Sequence, residues 1–157
     1  MTPAIEAARQ AGVDIKLHEY DHDPANTSYG LEAAEALGLD PARVFKTLLV
    51  SLNGDRRKLA VGVVPVTGQL DLKAMARACG AKKVEMADPA QAERTTGYVV
   101  GGISPLGQKR RLPAVIDASA NDFDTVFVSG GRRGLDVEIR PQDLIRLCQA
   151  STAPIGR

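Results

Sequence analysis

The sequence predicts an α+β protein built on a mixed, partly closed sheet with helices around it. Several β-rich runs are interrupted by short helical segments, and the two types do not alternate regularly as in a β-α-β fold. Two glycine-containing segments, at 53–55 and 130–134, lie between β-rich runs and are typical of hairpin turns. With 44% hydrophobic and 25% charged residues, the 157-residue chain has enough apolar material for one compact domain over 1–157.

The N-terminal part predicts short helices around a single strand. A Thr-Pro pair at 2–3 is a good helix start, and glycines at 12 and 38 are typical helix stops. From the N-terminus we expect a helix over 4–10, an alternating strand over 15–20, a polar loop over 21–28, a helix over 31–37 and a helical turn over 42–43.

The remaining elements follow from hairpin signals and helix caps. Asp71 and Asp88-Pro89 each precede a helical run, and Gly80 closes the first of these. The predicted order is strands 44–53 and 58–66, helix 72–79, strand 83–86, helix 89–94, strands 98–100, 114–116, 125–128 and 137–139, and a C-terminal helix from Pro141 that buries Leu144, Ile145, Leu147 and Cys148. The tail from Ser151 is expected to fray.

Composition excludes several classes of function. Residues 1–40 carry 2 basic and 8 acidic side chains, whereas residues 41–157 carry 18 basic and 11 acidic ones. The positive charge is therefore concentrated in residues 41–157, which suits a polyanionic partner. No apolar run reaches the ~20 residues needed to span a bilayer, and no signal-peptide pattern is present, so we expect a cytosolic protein without a membrane partner.

The most informative segment is the glycine loop, Gly101-Gly102-Ile103-Ser104-Pro105-Leu106-Gly107, which follows the β-rich residues 98–100 and precedes a basic triplet, Lys109-Arg110-Arg111. Consecutive glycines let a backbone approach a ligand closely and turn its N–H groups toward one point. Such a loop suits a polarised carbonyl or a phosphate. A tight turn with a solvated basic edge explains the same residues.

Lys46 is a charged residue in the apolar run 44–50. Burial of its ammonium is costly unless it faces a cavity or an anion, while an outward-facing strand position leaves it in water. A second glycine cluster, 129–136, joins open backbone to Arg132, Arg133 and a carboxylate, and a plain hairpin turn also explains its glycines.

Conventional catalytic constellations are missing. The two histidines, His18 and His22, lie in one acidic segment that reads as a solvated loop rather than a metal site. Cys79 and Cys148 have no Cys-x-x-Cys spacing and are interpreted as small core residues rather than nucleophiles. We therefore expect no metal and no cofactor.

Taken together, several motifs resemble the YbaK/EbsC family, free-standing relatives of the editing domain of bacterial prolyl-tRNA synthetase. The resemblance runs from residue 2 to about 147. The motifs that carry it are Lys46-Thr47-Leu48, Pro65-Val66-Thr67-Gly68-Gln69-Leu70-Asp71, Gly80-Ala81-Lys82-Lys83-Val84, the segment 96–107 and Ser129-Gly130-Gly131. It implies a barrel-like mixed sheet with surrounding helices, and hydrolysis of cysteine mischarged onto tRNA(Pro) beside prolyl-tRNA synthetase.

The resemblance also implies roles for individual residues. The functional lysine of the family corresponds to Lys46, and its glycine loop corresponds to Gly101 and Gly102. Substrate-binding positions correspond to Tyr20, Tyr29, Thr47, Ser129 and Asp136, where Tyr29 replaces a phenylalanine of some relatives. The basic residues Lys109, Arg110, Arg111, Arg132 and Arg133 are candidates for contacts to tRNA phosphates.

These residues suggest a reaction without a protein nucleophile. The thiol of the substrate's own cysteine attacks the ester carbonyl, Lys46 holds the terminal ribose or phosphate, and the N–H groups of Gly101 and Gly102 stabilise the oxyanion. Three alternatives stay open: a binding module that docks tRNA or the synthetase without hydrolysis, an editing deacylase with a different amino-acid preference, and a hydrolase that uses Cys79 or His18.

Overall fold

The computed structural model describes residues 1–157 and confirms the α+β class. The helices are α1 (Pro3–Gln10), α2 (Tyr29–Leu37), α3 (Leu72–Cys79), α4 (Pro89–Thr96) and α5 (Pro141–Cys148), with 3₁₀ turns at Pro41–Arg43 and Ala118–Asp122. The strands are β1 (Lys16–Glu19), β2 (Phe45–Leu52), β3 (Asp55–Pro65), β4 (Val84–Met86), β5 (Ala114–Asp117), β6 (Val126–Arg132), β7 (Leu135–Ile139) and β8 (Ser151–Ala153).

The strands form two sheets that do not close into a barrel. A five-stranded sheet has the order β4-β2-β3-β5-β8, with antiparallel pairs around β2 and parallel pairs around β5. A three-stranded antiparallel sheet has the order β1-β7-β6. One isolated parallel bridge, between Val44 and Phe127, connects them. The sheet is therefore mixed, as predicted, and open at this junction.

Local sequence signals explain most element boundaries. The Asp71 carboxylate accepts a hydrogen bond from the Ala74 N–H (3.1 Å) at the start of α3, and Gly80 ends that helix in the left-handed conformation (φ 67°). Asn53 and Gly54, both with positive φ, turn β2 into β3. Caps and turns of this kind are specified by a few neighbouring residues.

The largest core lies between the two sheets. Leu49 and Val63 of the large sheet belong to the same buried cluster as Val128 and Val137 of the small one. On the other face of the large sheet, α3 inserts the fully buried Met75 into a second cluster. Helix α2 covers the other face of the small sheet through a small cluster that includes Ala34, Val44 and Phe127.

Two sequence predictions are wrong. Residues 98–100 form no strand, because they lie between Gly97 and Gly101, both in the left-handed conformation, and are bent into a turn closed by the Gly102 N–H on the Val99 carbonyl (2.9 Å). The tail does not fray: β8 pairs with β5, and Ile155 is completely buried. The buried Asp117 carboxylate fixes this tail by accepting the Ile155 and Gly156 N–H groups, each at 2.9 Å.

Smaller differences concern boundaries and burial. Helix α2 starts at Tyr29, two residues before the predicted start, and β3 starts at Asp55 rather than Lys58. On α5 only Leu144 of the four predicted apolar residues is buried completely, and the other three are half-buried. No helix combines the length and the apolar character that crossing a bilayer requires.

Candidate active site

A cavity of about 460 Å³ opens where the two sheets meet. Its walls come from the N-terminal end of α2, the first half of β2, the segment around Met86 and Pro89, the glycine loop, and the polar face of the small sheet. The cavity contains seven of the eight residues predicted to be catalytic or substrate-binding: Tyr20, Tyr29, Lys46, Thr47, Gly101, Ser129 and Asp136. Chain segments far apart in sequence thus converge on one pocket.

Lys46 enters the cavity from β2, where it pairs with Val64 of β3. Its side chain is half-buried and makes neither a hydrogen bond nor an ion pair within the protein. Desolvation lowers the pKa of its ammonium. Lys46 is thus a cation without a counter-charge in a cavity wall, which is a suitable arrangement for an anionic or electron-rich ligand.

Asp136 lies on the small sheet, opposite Ser129 of β6 and His18 of β1. Asp136 is only 6% exposed, and its carboxyl group has no hydrogen-bond or ion-pair partner in the protein. Burial raises the pKa of this carboxyl group to about 7. The pKa of the Tyr20 hydroxyl is raised by its own burial and, to a smaller extent, by Asp136, which places the two groups close together.

Thr47 follows Lys46, and its Oγ1 is the one side-chain polar atom of the protein that is completely inaccessible to solvent and lacks a hydrogen-bond partner. Leaving such a hydroxyl unsatisfied costs about 1–3 kcal/mol. Three polar side chains of the cavity wall, those of Lys46, Thr47 and Asp136, are therefore unpaired in the protein.

The glycine loop contributes one open backbone position. Gly101 has a φ of 86°, and a Cβ there would lie 2.7 Å from ring carbons of Tyr29, so the tyrosine ring packs directly on the Gly101 backbone. The Gly101 N–H has no acceptor in the protein. The Gly102 N–H, in contrast, is bonded to the Val99 carbonyl, and Gly102 does not line the cavity. The structure thus leaves Gly101, but not Gly102, with an N–H free for a ligand.

Arg132 and Arg133 differ in their surroundings, although both are exposed. Arg132 lies 3.6 Å from the Glu19 carboxylate. The Arg133 guanidinium donates from Nε to the Val100 carbonyl (2.9 Å) and stacks over the Tyr29 ring, 4.9 Å from its centroid. Arg133 thus contacts two residues of the cavity wall, whereas Arg132 contacts neither.

The triplet 109–111 is exposed and lies outside this cavity. Arg111 instead borders a second cavity of about 370 Å³, beside Cys148. None of the five predicted tRNA-binding residues lines the main cavity.

The histidines form two separate carboxylate pairs. His18 Nε2 lies 3.0 Å from Glu138 Oε1, and His22 Nδ1 lies 2.6 Å from Glu32 Oε1. No group of three or more His, Cys, Asp or Glu side chains is gathered around a point that suits a metal ion. Neither histidine is therefore adjacent to a serine or cysteine in the manner of a nucleophile and its base.

The cysteines lie outside the main cavity. Burial raises the pKa of Cys79, and it raises the pKa of Cys148 to about 12. The Cys148 Sγ donates to the Pro105 carbonyl at 3.3 Å. Both thiols are therefore protonated at neutral pH, which is the inert state of a structural cysteine.

A family model described as the aminoacyl-tRNA editing domain matches residues 22–147, which include every wall of the cavity except Tyr20. The chain belongs to this editing family. It is 36% identical, over 98% of its length, to EbsC of Enterococcus faecalis, a protein named as a candidate Cys-tRNA(Pro)/Cys-tRNA(Cys) deacylase, and the match covers 92% of that protein.

Solved structures with the same fold agree with this assignment. One, described as a candidate trans-editing enzyme for prolyl-tRNA synthetase, has a TM-score of 0.85 at 26% identity and covers 99% of this chain and 95% of that one. Another, the hypothetical protein APE2540, has a TM-score of 0.87 at 25% identity and covers 99% of both chains. The resemblance seen in the sequence is thus confirmed.

Sequence reasoning missed the apolar rim of the pocket. Leu31 and Met86 line the cavity although they are 49% and 50% exposed. Gly30 lies beside Leu31, and a Cβ at Gly30 would meet Val66 Cγ1 at 2.2 Å, so this glycine allows α2 to approach the end of β3. A glycine immediately before the predicted helix 31–37 was the signal that could have indicated this contact.

Proposed function

We propose that this protein is a trans-editing hydrolase that removes mischarged cysteine from Cys-tRNA(Pro). The observation that carries the proposal is the cavity, in which Lys46 and Asp136 are unpaired and in which no protein nucleophile is activated. Membership of the editing family supports an aminoacyl ester as the bond that is cleaved. The name of the E. faecalis relative supports cysteine as the amino acid and tRNA(Pro) as the carrier.

The proposed positions of the substrate follow from the charges in the cavity. The carboxylate of Asp136, with the Tyr20 hydroxyl beside it, receives the α-ammonium group of the amino acid. Lys46 faces the terminal ribose or phosphate and stabilises the negative charge that develops on the ester. The free N–H of Gly101 supplies one dipole for the oxyanion.

The reaction requires no bond to the protein. The sulfur of the substrate's cysteine attacks its own acyl carbon, the bond from that carbon to the ribose oxygen breaks, and the thiol proton ends on the ribose hydroxyl. Water then opens the cyclic thioester and releases cysteine. Intramolecular attack in an aligned geometry gains an effective molarity of about 10⁵ M or more, so shape and dipoles are sufficient.

The partners are the mischarged tRNA and, in a transient complex, prolyl-tRNA synthetase. The described surface contains no evident determinant for one tRNA over another, and the net charge of +1 favours only weak unaided binding. Selection of tRNA(Pro) then comes from the synthetase. If so, adding the synthetase restricts turnover to its own tRNA, and turnover that stays unrestricted contradicts this step.

A release assay tests the proposal. Purified protein is incubated with Cys-tRNA(Pro), and free cysteine is measured for the natural protein and for the Lys46→Ala, Cys79→Ala, Cys148→Ala and His18→Ala variants. We expect release that only Lys46→Ala abolishes. No release by the natural protein favours the binding module, whereas loss in a cysteine or His18 variant favours a conventional thiol or histidine hydrolase.

A further inference from the structure

Arg133 connects three parts of the cavity rim that are distant in sequence. It projects from the β6–β7 turn, donates to the Val100 carbonyl of the glycine loop, and stacks over Tyr29 at the start of α2. Tyr29, Val100 and Gly101 line the cavity, but Arg133 does not. The Tyr29 ring also packs on the Gly101 backbone, so it contacts both a guanidinium and a glycine.

We propose that Arg133 is a positioning residue for the cavity rim rather than a contact to tRNA phosphate; the inference rests on the proposed function. The planar guanidinium donates to the carbonyl and covers the aromatic face at the same time, which an ammonium group or an amide does less well. Its neighbour Arg132 makes neither contact, so the two arginines have different roles despite equal charge and exposure.

Two substrates separate positioning from phosphate binding. Cysteine esterified to adenosine carries the reacting ester without the phosphate backbone, whereas Cys-tRNA carries both. For Arg133→Gln we expect KM to rise about tenfold on both substrates with kcat unchanged, and the salt dependence of KM to stay as in the natural protein. Arg133→Lys should recover part of the loss in KM.

Arg132→Gln should give the opposite signature. The rise in KM should be confined to Cys-tRNA. The slope of log KM against log salt should fall by about 0.7–0.9, the value for one phosphate contact. If Arg133→Gln gives this signature too, or leaves KM unchanged on the minimal ester, the positioning role is refuted. Amide hydrogen exchange gives a second test that needs no activity: exchange at 99–104 should accelerate in Arg133→Gln but not in Arg132→Gln, and equal exchange in both refutes the proposal.

A separate observation concerns the far ends of β2 and β4. Five exposed cations lie beside two adjacent turns, Arg56, Arg57 and Lys58 in the first residues of β3 and Lys82 and Lys83 just before β4, and we call them the two-turn cluster. Only Asp55 and Glu85 oppose them, at 3.9 Å from Arg57 and 3.6 Å from Lys83. Three of the five cations therefore have no acidic partner.

Asn53 holds the two turns together. Its N–H donates to the Lys83 carbonyl (2.9 Å), and its Oδ1 accepts the N–H groups of Lys82 (2.8 Å) and Lys83 (3.2 Å). Like charges fixed close together repel one another, so the fold maintains this concentration against an electrostatic cost. Met86, which lines the cavity, lies three residues after Lys83 along β4, a distance of about 10 Å.

We infer that the two-turn cluster binds the phosphate backbone of the tRNA arm whose acylated end enters the cavity. This inference also rests on the proposed function, because the cavity fixes which nucleic acid is present. Phosphate contacts position a nucleic acid without reading its sequence, in agreement with a tRNA selectivity that is supplied by a partner.

Matched double variants test the inference. For Lys82→Gln/Lys83→Gln we expect KM for Cys-tRNA to rise at least tenfold and the salt slope to fall by about 1.4–1.8, while the adenosine ester is hydrolysed as before. Arg9→Gln/Arg146→Gln removes the same charge from exposed helical positions and should leave both values unchanged. Asn53→Gly keeps the charge and the turn but removes the side-chain acceptor, so it should give an intermediate rise in KM for Cys-tRNA.

Binding of uncharged tRNA separates failure of this inference from failure of the proposed function. If the cluster variant binds uncharged tRNA as tightly as the natural protein, or if the two double variants weaken binding equally, the cluster is not the tRNA surface. A loss seen only when prolyl-tRNA synthetase is present assigns the cluster to a protein contact and also refutes the inference. Tight, cluster-dependent binding without deacylation rejects the proposed function alone.

Discussion

Asp136 and Glu138 stand two residues apart on β7, so their side chains leave the same face of the small sheet. Glu138 accepts a hydrogen bond from the Thr125 hydroxyl (2.6 Å), pairs with His18 at 3.0 Å and lies 3.9 Å from Arg43. The bond from Thr125 and the one with His18 lower its pKa despite partial burial. Asp136 has none of these partners, and burial alone raises its pKa to about 7.

The difference separates a carboxylate that the protein itself satisfies from one for which we propose a ligand as the partner. A buried charge without a partner is costly, so a fold that needed only stability would pair it or replace it. Glu138 is satisfied within the protein. Asp136, Lys46 and Thr47 are all left unsatisfied in the wall of one cavity, where a substrate can supply the missing partners.

The largest expected effect is on activity, at Lys46. Lys46→Met keeps the apolar stem and removes the cation, so deacylation should fall at least 100-fold because charge on the ester is no longer stabilised. The free energy of unfolding, from urea denaturation, should stay equal or rise because an unpaired cation has been removed from a half-buried site. Lys73→Met, on an exposed face of α3, is the matched control. A Lys46→Met protein that unfolds, or that keeps full activity, removes Lys46 from the site.

The next effect is the pH dependence of stability at Asp136. Its folded pKa of about 7 lies above the ordinary 3.8, so the folded state binds the proton more tightly and stability falls as pH rises from about 4 to about 7. Asp136→Asn should remove this loss and be more stable than the natural protein at pH 8, by a few kcal/mol at most and by little at pH 4. Its KM should rise, since the substrate ammonium loses its counter-charge. Urea unfolding at both pH values measures the first effect, and equal stability at pH 8 contradicts a buried, unpaired carboxylate.

Glu138→Gln should destabilise the protein, and more at neutral pH than at acidic pH. The lowered pKa of Glu138 means that its contribution is present above the ordinary value of 4.5 and is lost as pH falls through the lowered one. The free energy of unfolding should fall by about 1–3 kcal/mol at pH 7 and by less at pH 3, with kcat and KM nearly unchanged. The same unfolding series checks it, and a loss of activity without a loss of stability would place Glu138 in the site.

The smallest effect concerns two threonines. Thr47→Val removes a hydroxyl that has no partner, so stability should stay within about 1 kcal/mol or increase, while KM rises a few-fold. Thr125→Val, in contrast, breaks the bond to Glu138 and an acceptor of Arg43 and should destabilise the protein without changing KM. If the two variants behave alike, the distinction between paired and unpaired polar groups fails.

Much of the fold is encoded locally and was predictable. Helix α3 is bounded by Asp71 and Gly80, and the β2–β3 hairpin by Asn53-Gly54, because caps and turns depend on neighbouring residues. The turn at 98–100 and the buried tail were not predictable in this way. Strand-prone residues at 98–100 meet no strand edge, and the tail is ordered by Asp117, about forty residues earlier in the chain.

The site was predictable to different degrees. Lys46 was indicated by its own context, a charge inside an apolar strand. Asp136 was noted only as the carboxylate of a glycine cluster that a plain hairpin also explains, and Tyr20 was identified only through the family resemblance. The sequence could not show that the Gly102 N–H is used within its own turn, or that Arg133 is turned toward Tyr29. The Gly102 bond depends on a turn that the strand-prone residues 98–100 do not indicate, and the Arg133 contact depends on how distant segments pack.

The central claim is that the cavity holds the substrate while the substrate's own thiol reacts. The most direct measurement is the release of cysteine, serine and alanine from the same tRNA by the natural protein. We predict rapid release of cysteine alone, because serine has a similar size and the same ammonium group but a far weaker nucleophile. Comparable release of serine, or an acyl adduct on a protein side chain during turnover, would contradict the account.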